Sequence, residues 1–149
     1  MIPSSRFLLN LTLLVVCTQF VYADVPDWQD DPGGYEFVAT LVAGIVLDGN
    51  GVQLADEGDL FAAFDAANNV RGVAVQFIPN GGPYAGTTVY EMTMRSNAAG
   101  DLLSFQYYDA SEDAILSISE TYEFAINDQL GNLVTGAIEF NIADCVDDP

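Results

Sequence analysis

From Tyr35 to Leu47 the odd positions are Tyr, Phe, Ala, Leu, Ala, Ile and Leu. The even positions are Glu, Val, Thr, Val, Gly and Val. Side chains alternate faces along a strand, so this segment predicts a strand with the odd set toward a core. Asp48-Gly49-Asn50-Gly51 then breaks the pattern with turn residues. Six further strand-like segments follow, at 59–65, 70–78, 88–96, 102–109, 115–124 and 133–142. Their expected inward residues include Tyr90, Met92, Met94, Leu103, Phe105 and Tyr107, then Ile118, Tyr122, Phe124, Ile138, Phe140 and Ile142. Ala66 to Asn69 makes a hairpin-sized loop, and Asn97 to Gly100 another turn. No segment sustains a 3.6-residue period with helix caps. Short strands at this spacing predict an all-β domain over 35–142, an antiparallel immunoglobulin-like β-sandwich of about seven strands.

The flanks differ in composition. Residues 1–23 carry Arg6, an apolar run from Phe7 to Phe20, and Val21-Tyr22-Ala23 before Asp24. That order predicts a secretory signal peptide, with the mature chain starting at Asp24. The apolar run is too short to cross a bilayer core of about 30 Å, so no membrane span is expected after cleavage. Residues 24–34 (DVPDWQDDPGG) read as an acidic linker. Residues 143–149 (ADCVDDP) read as an acidic tail or as the start of a further module, because they echo the linker.

Charge narrows the function. The chain has 149 residues, 22 acids, three arginines, no lysine and no histidine. A Ser-His-Asp triad, a Cys-His dyad and His-ligated zinc are therefore excluded, as are lysine Schiff bases and the P-loop. Nucleic acid is not an expected partner, since phosphate contacts need Lys or Arg. After cleavage, 22 acids face only Arg71 and Arg95, a net −20. Such charge opposes compaction unless salt or divalent cations offset it. Cleavage also leaves Cys145 as the only cysteine, so no intrachain disulfide is expected. Two readings stand for it: an interchain disulfide or a partner in a longer chain, and a free thiol on a tail.

Three groups of residues bear on chemistry. Asp48, Asn50, Asp56 and Asp59 place oxygens at intervals along one acidic loop, as a Ca²⁺ site of six to eight hard ligands would need. The EF-hand pattern fails there, with Val52 and Gln53 where a ligand and a glycine belong. The loop therefore reads either as an irregular calcium loop or as an acidic turn joining two strands. Arg71 is expected in an ion pair with Asp65, Asp59 or Asp109, or against an acidic glycan. Asp109 also suits capping of the turn that follows it. Gly72 is expected at a bulge or a close backbone approach, and Arg95 on a solvent-facing strand position. The Gly-rich loop from Asn80 to Thr87 offers Tyr84 as a ligand-binding aromatic, while Trp28 is expected over an open end of the sandwich.

Several short motifs occur in a particular order. Gly58-Asp59-Leu60-Phe61-Ala62-Ala63-Phe64-Asp65 is followed by Val70-Arg71-Gly72-Val73-Ala74. Ser96-Asn97, Gly100-Asp101, Phe105-Gln106-Tyr107-Tyr108-Asp109-Ala110, Glu120-Thr121, Phe124 and Gly131-Asn132 come after them. As a set they resemble a repeat β-sandwich module of large secreted surface proteins of marine Bacteroidetes-type bacteria. The resemblance covers roughly residues 35–142. It implies an extracellular, non-catalytic module, often in tandem, and carries over no catalytic residue. The chain departs from it in being short, without a sorting domain or a second full module.

The expected function is that of a secreted, cell-surface or matrix module for adhesion, spacing or display. Its partner would be an extracellular protein or a polysaccharide. No cofactor is required, and salt screening or bound Ca²⁺ is the stabiliser expected for the acids. Two alternatives stand. One is a carbohydrate-binding module using Tyr84. The other is a small secreted glycoside hydrolase using a carboxylate pair.

Overall fold

In a computed structural model, described here for residues 24–143, the chain is an all-β sandwich. The predicted leader 1–23 and residues 144–149 of the tail, with Cys145, lie outside the described residues. The strands are β1 (Phe37–Leu47), β2 (Gln53–Leu54), β3 (Leu60–Phe64), β4 (Val70–Val73) and β5 (Val75–Phe77). They continue with β6 (Val89–Ser96), β7 (Leu102–Asp109), β8 (Ala114–Glu123), β9 (Gln129–Leu130) and β10 (Ile138–Asn141). One sheet has the order β10-β1-β6-β5, with β2 and β9 also on β1. The second has the order β4-β3-β7-β8. Antiparallel pairing dominates, but β1 runs parallel to both β9 and β10.

The core lies between the sheets. Phe61, Phe105 and Phe140 meet with ring centroids 4.9–5.7 Å apart, and Tyr90 stands edge-on to Phe61 at 5.5 Å. The inward residues expected on β6 and β7 are all buried. On β1 the alternation fails halfway. Ala39, Leu41 and Ala43 are buried, but so is Val46, while Ile45 and Leu47 are only partly buried. A β-bulge between Leu41 and Gly44 puts two residues opposite one on β6, and every later side chain changes face.

Two further expectations are corrected. The predicted strand 70–78 is two strands in different sheets. At Ala74, whose N–H bonds Phe61 C=O at 2.8 Å, the chain leaves β3 and begins to pair with β6. The predicted strand 133–142 shortens to β10, because Asn132 to Gly136 closes a turn. At the opposite corner, an antiparallel bridge between Ile118 and Ile142 joins the sheets. Glu120 reinforces it by accepting from the Asn141 backbone N–H and side-chain amide, both at 2.7 Å.

Candidate functional site

The polar residues singled out above fall into three places. The first is the end of the β3–β4 hairpin. Asp65 Oδ1 accepts from the Ala67 and Asn69 N–H groups, each at 2.9 Å, and so shapes the loop. Its Oδ2 faces Arg71 Nε at 2.9 Å. Arg71 is the extra residue of a bulge on β4, which turns its side chain toward this corner. Nη1 of Arg71 donates to Arg95 C=O and to Ser96 Oγ, both at 3.2 Å, and lies 3.8 Å from Asp101 Oδ2. Its guanidinium carbon sits 4.2 Å from the centroid of the Tyr35 ring, a cation–π contact. Gly72 makes this packing feasible, since a Cβ there would stand 2.5 Å from Thr93 C=O. Burial pushes the Asp65 carboxyl up. Donation from Asn69, Arg71 and Ala67 outweighs that and holds it at about 2.

Asp109 is not part of this pair. Its Oδ1 accepts from the Ser111 N–H at 2.9 Å, the Ser111 hydroxyl at 2.7 Å and the Glu112 N–H at 3.2 Å. It caps the β7–β8 turn, and Asp101 takes the place beside Arg71. Arg95 is not a free solvent-facing residue either. Its Nε and Nη2 grip Asp30 Oδ1 and Oδ2 at 2.7 and 2.8 Å, a two-pronged pair. Donation to Asp30 raises the Arg95 pKa.

The second place is a chain of hydroxyls through the core. Tyr107 on β7 donates to Asp59 Oδ2 at 2.6 Å, and its oxygen lies 2.8 Å from that of Tyr90 on β6. Gln76 on β5 donates to Tyr90 at 2.9 Å. Asp59 also accepts from the Ala110 N–H at 2.9 Å and the Asp56 N–H at 2.8 Å. The buried carboxylate thus anchors Tyr107, and the Tyr107–Tyr90 contact carries the chain from one sheet to the other. Burial, then donation to Asp59, pushes the Tyr107 phenol far above its ordinary value, and burial raises Tyr90 as well. Sequence reasoning missed this chain. Its signal is a tyrosine at an inward position, because a buried hydroxyl requires a partner.

The third place is the loop with the four calcium candidates. Asp48 Oδ1 accepts from the Asn50 and Val52 N–H groups, each at 2.8 Å, and folds the β1–β2 turn. Asn50 and Asp56 are exposed, and Asp59 points inward to Tyr107. Among the described residues, no three acids or cysteines stand together as a metal cluster. Tyr84 is half-buried, and its hydroxyl accepts from the Ala137 N–H at 2.7 Å, pinning the Gly-rich loop to the β9–β10 loop.

The segment expected as a linker lies against the sandwich. Trp28 meets Phe64 edge-on at 5.2 Å, and Asp30 holds Arg95. Beside it runs an open groove of about 370 Å³, lined by Asp30, Val73, Val75, Glu91 and Thr93.

No known protein family matches the chain. Neither the curated proteins nor the solved structures give a match.

Proposed function

We propose that the chain is a secreted, non-catalytic module of the immunoglobulin-like kind, serving adhesion, spacing or display at a cell surface or in a matrix. The observation that carries this reading is how the polar side chains are employed. Arg71, Arg95, Asp59 and Asp65 all bond to other parts of the fold, and Asp109 caps its own turn. A scaffold uses its polar groups in that way. The likeness to repeat modules of secreted surface proteins supports the same reading. A charge of −20 on residues 24–149 suits a saline exterior, with Ca²⁺ as a stabilising counterion.

The test has two parts. Export of the full chain from a bacterial host, followed by N-terminal sequencing, is expected to yield a chain beginning at Asp24. The exported protein, fluorescently labelled, is then applied to whole cells, matrix proteins and neutral and acidic polysaccharides at seawater salt. Retention on cells or matrix without turnover of chromogenic glycosides is the expected result. Retention on a polysaccharide that is lost with Tyr84→Ala moves the assignment to a carbohydrate-binding module. Glycoside turnover overturns the non-catalytic reading. A melt in millimolar Ca²⁺ against EDTA, at matched ionic strength, decides whether calcium braces the fold.

A further inference from the structure

The outer face of the β4-β3-β7-β8 sheet carries an apolar strip that no strand covers. The register pairs Leu60 with Tyr108 and Ala62 with Gln106 and Val73, so these side chains point away from the core. Ala62, Phe64 and Tyr108 are nonetheless buried. Trp28 stands on Phe64, and two residues later Asp30 holds Arg95 on β6 of the other sheet. The segment therefore crosses from this strip to the neighbouring edge of the sandwich.

The attachment is unlike that of any strand. Among the described residues, the only backbone hydrogen bond within 24–34 is Gly34 N–H to Asp31 C=O, inside its own turn. Side chains alone seat the segment: the Trp28 ring and the Asp30 carboxylate. The turn that follows, Asp31-Pro32-Gly33-Gly34, is exposed throughout. Charge favours the seat as well. The segment carries Asp24, Asp27, Asp30 and Asp31, while Arg71 and Arg95, the only cations of residues 24–149, both stand at its root. On a chain this acidic, that corner is where the acidic segment of another copy would meet positive charge.

We propose that this seat joins copies of the chain, with segment 24–30 of one copy lying on the sheet strip of the next in place of that copy's own segment. The contacts are the same in both arrangements. Exchange therefore costs only the effective concentration of the tethered segment, about millimolar for a short link. Each copy offers one segment and one seat, so exchange either closes reciprocally between two copies or continues head to tail into longer chains. Crowding on a surface is the condition that favours it. The inference does not depend on what the module binds.

The test uses the full chain with Cys17→Ser and Cys145→Ser as background. One sample carries Gln29→Cys and the other Val75→Cys, which lines the groove beside Asp30, so Trp28, Asp30 and Arg95 are kept, and the two are mixed at about 1 mM under mild oxidation. A disulfide-linked heterodimer is expected to form about ten-fold faster than in a control with Val134→Cys, exposed on the β9–β10 loop, in place of Gln29→Cys. Equal rates overturn the proposal. Should a cysteine variant fail to fold by circular dichroism, light scattering on the unsubstituted chain decides. Its mass is expected to rise between about 10 μM and about 1 mM, and Trp28→Ala is expected to abolish the rise. A constant monomer mass, or a rise that survives Trp28→Ala, overturns the proposal.

Discussion

The inner face of the β4-β3-β7-β8 sheet and the outer face of its strand β3 are both buried, by different means. The inner face meets a second sheet through Phe61, Phe105 and Tyr107, and a hydrogen-bond chain from Asp59 to Gln76 crosses the gap. The outer face meets an irregular segment anchored by one ring and one carboxylate. The inner cover is cooperative with the whole fold, because removing it separates the sheets. The outer cover can open locally, since no backbone ladder holds it. Burial alone therefore does not measure how firmly a residue belongs to the fold. What covers it, and how that cover is tied down, matters as much.

The largest effect expected is that of Phe61→Ala. Its ring is fully buried among four aromatic neighbours, so a loss of about 3–5 kcal/mol in urea unfolding is expected. Phe64→Ala, on the outer face of the same strand, is expected to cost about 1.5–3 kcal/mol, because its cover can settle onto the smaller side chain. Equal losses from the two substitutions would erase the difference drawn between the faces. Tyr107→Phe keeps the ring and removes a donor to buried Asp59, and is expected to cost about 1–3 kcal/mol in the same measurement.

Acid sharpens the comparison at the hairpin corner. The Asp65 pKa falls from 3.8 to about 2 on folding, so its contribution is full above about pH 4 and is lost as pH falls toward 2. Asp65→Asn is expected to flatten that part of a plot of melting temperature against pH, and an unchanged slope there would contradict the assignment. The smallest effect is expected from Asp30→Asn, about 0–1 kcal/mol in global stability, because the pair lies at the surface. Trp28, the single tryptophan, reports the local effect: its emission is expected to move to the red as the outer cover loosens while circular dichroism stays unchanged.

Much of this was legible along the chain. Alternation placed Tyr90, Met92 and Met94 on one face of β6, and Leu103, Phe105 and Tyr107 on one face of β7. Arg71 and Asp65 were paired by type and proximity, and the turn after Asp109 by its neighbours. The rest was hidden for physical reasons. A bulge leaves no mark in composition, so the change of face after Ala43 could not be read. Arg71 reaches Asp101 across 30 residues of chain, and that distance is set by tertiary packing alone. The outer cover did leave a trace. Leu60 to Phe64 is apolar at every position, which is the mark of a strand buried on both sides. Acidic composition hid the second cover, because residues 24–34 resemble a solvated linker and only Trp28 indicates otherwise.

The parallel pairing of β1 with β10 has a consequence for load. β1 opens the sandwich and β10 closes it, with Gly44 to Leu47 lying beside Ile138 to Asn141. A pull on the two flanks drags these strands in opposite directions along their length. Every bond of the pair is then strained at once rather than peeled one after another. A molecule tethered at both flanks in a force spectrometer is accordingly expected to resist extension and then yield in a single rupture, whereas one gripped at the start of β7 and the end of β8, where Leu102 pairs with Glu123, should unzip at lower force. The sandwich is built like a shear joint, suited to a link under tension.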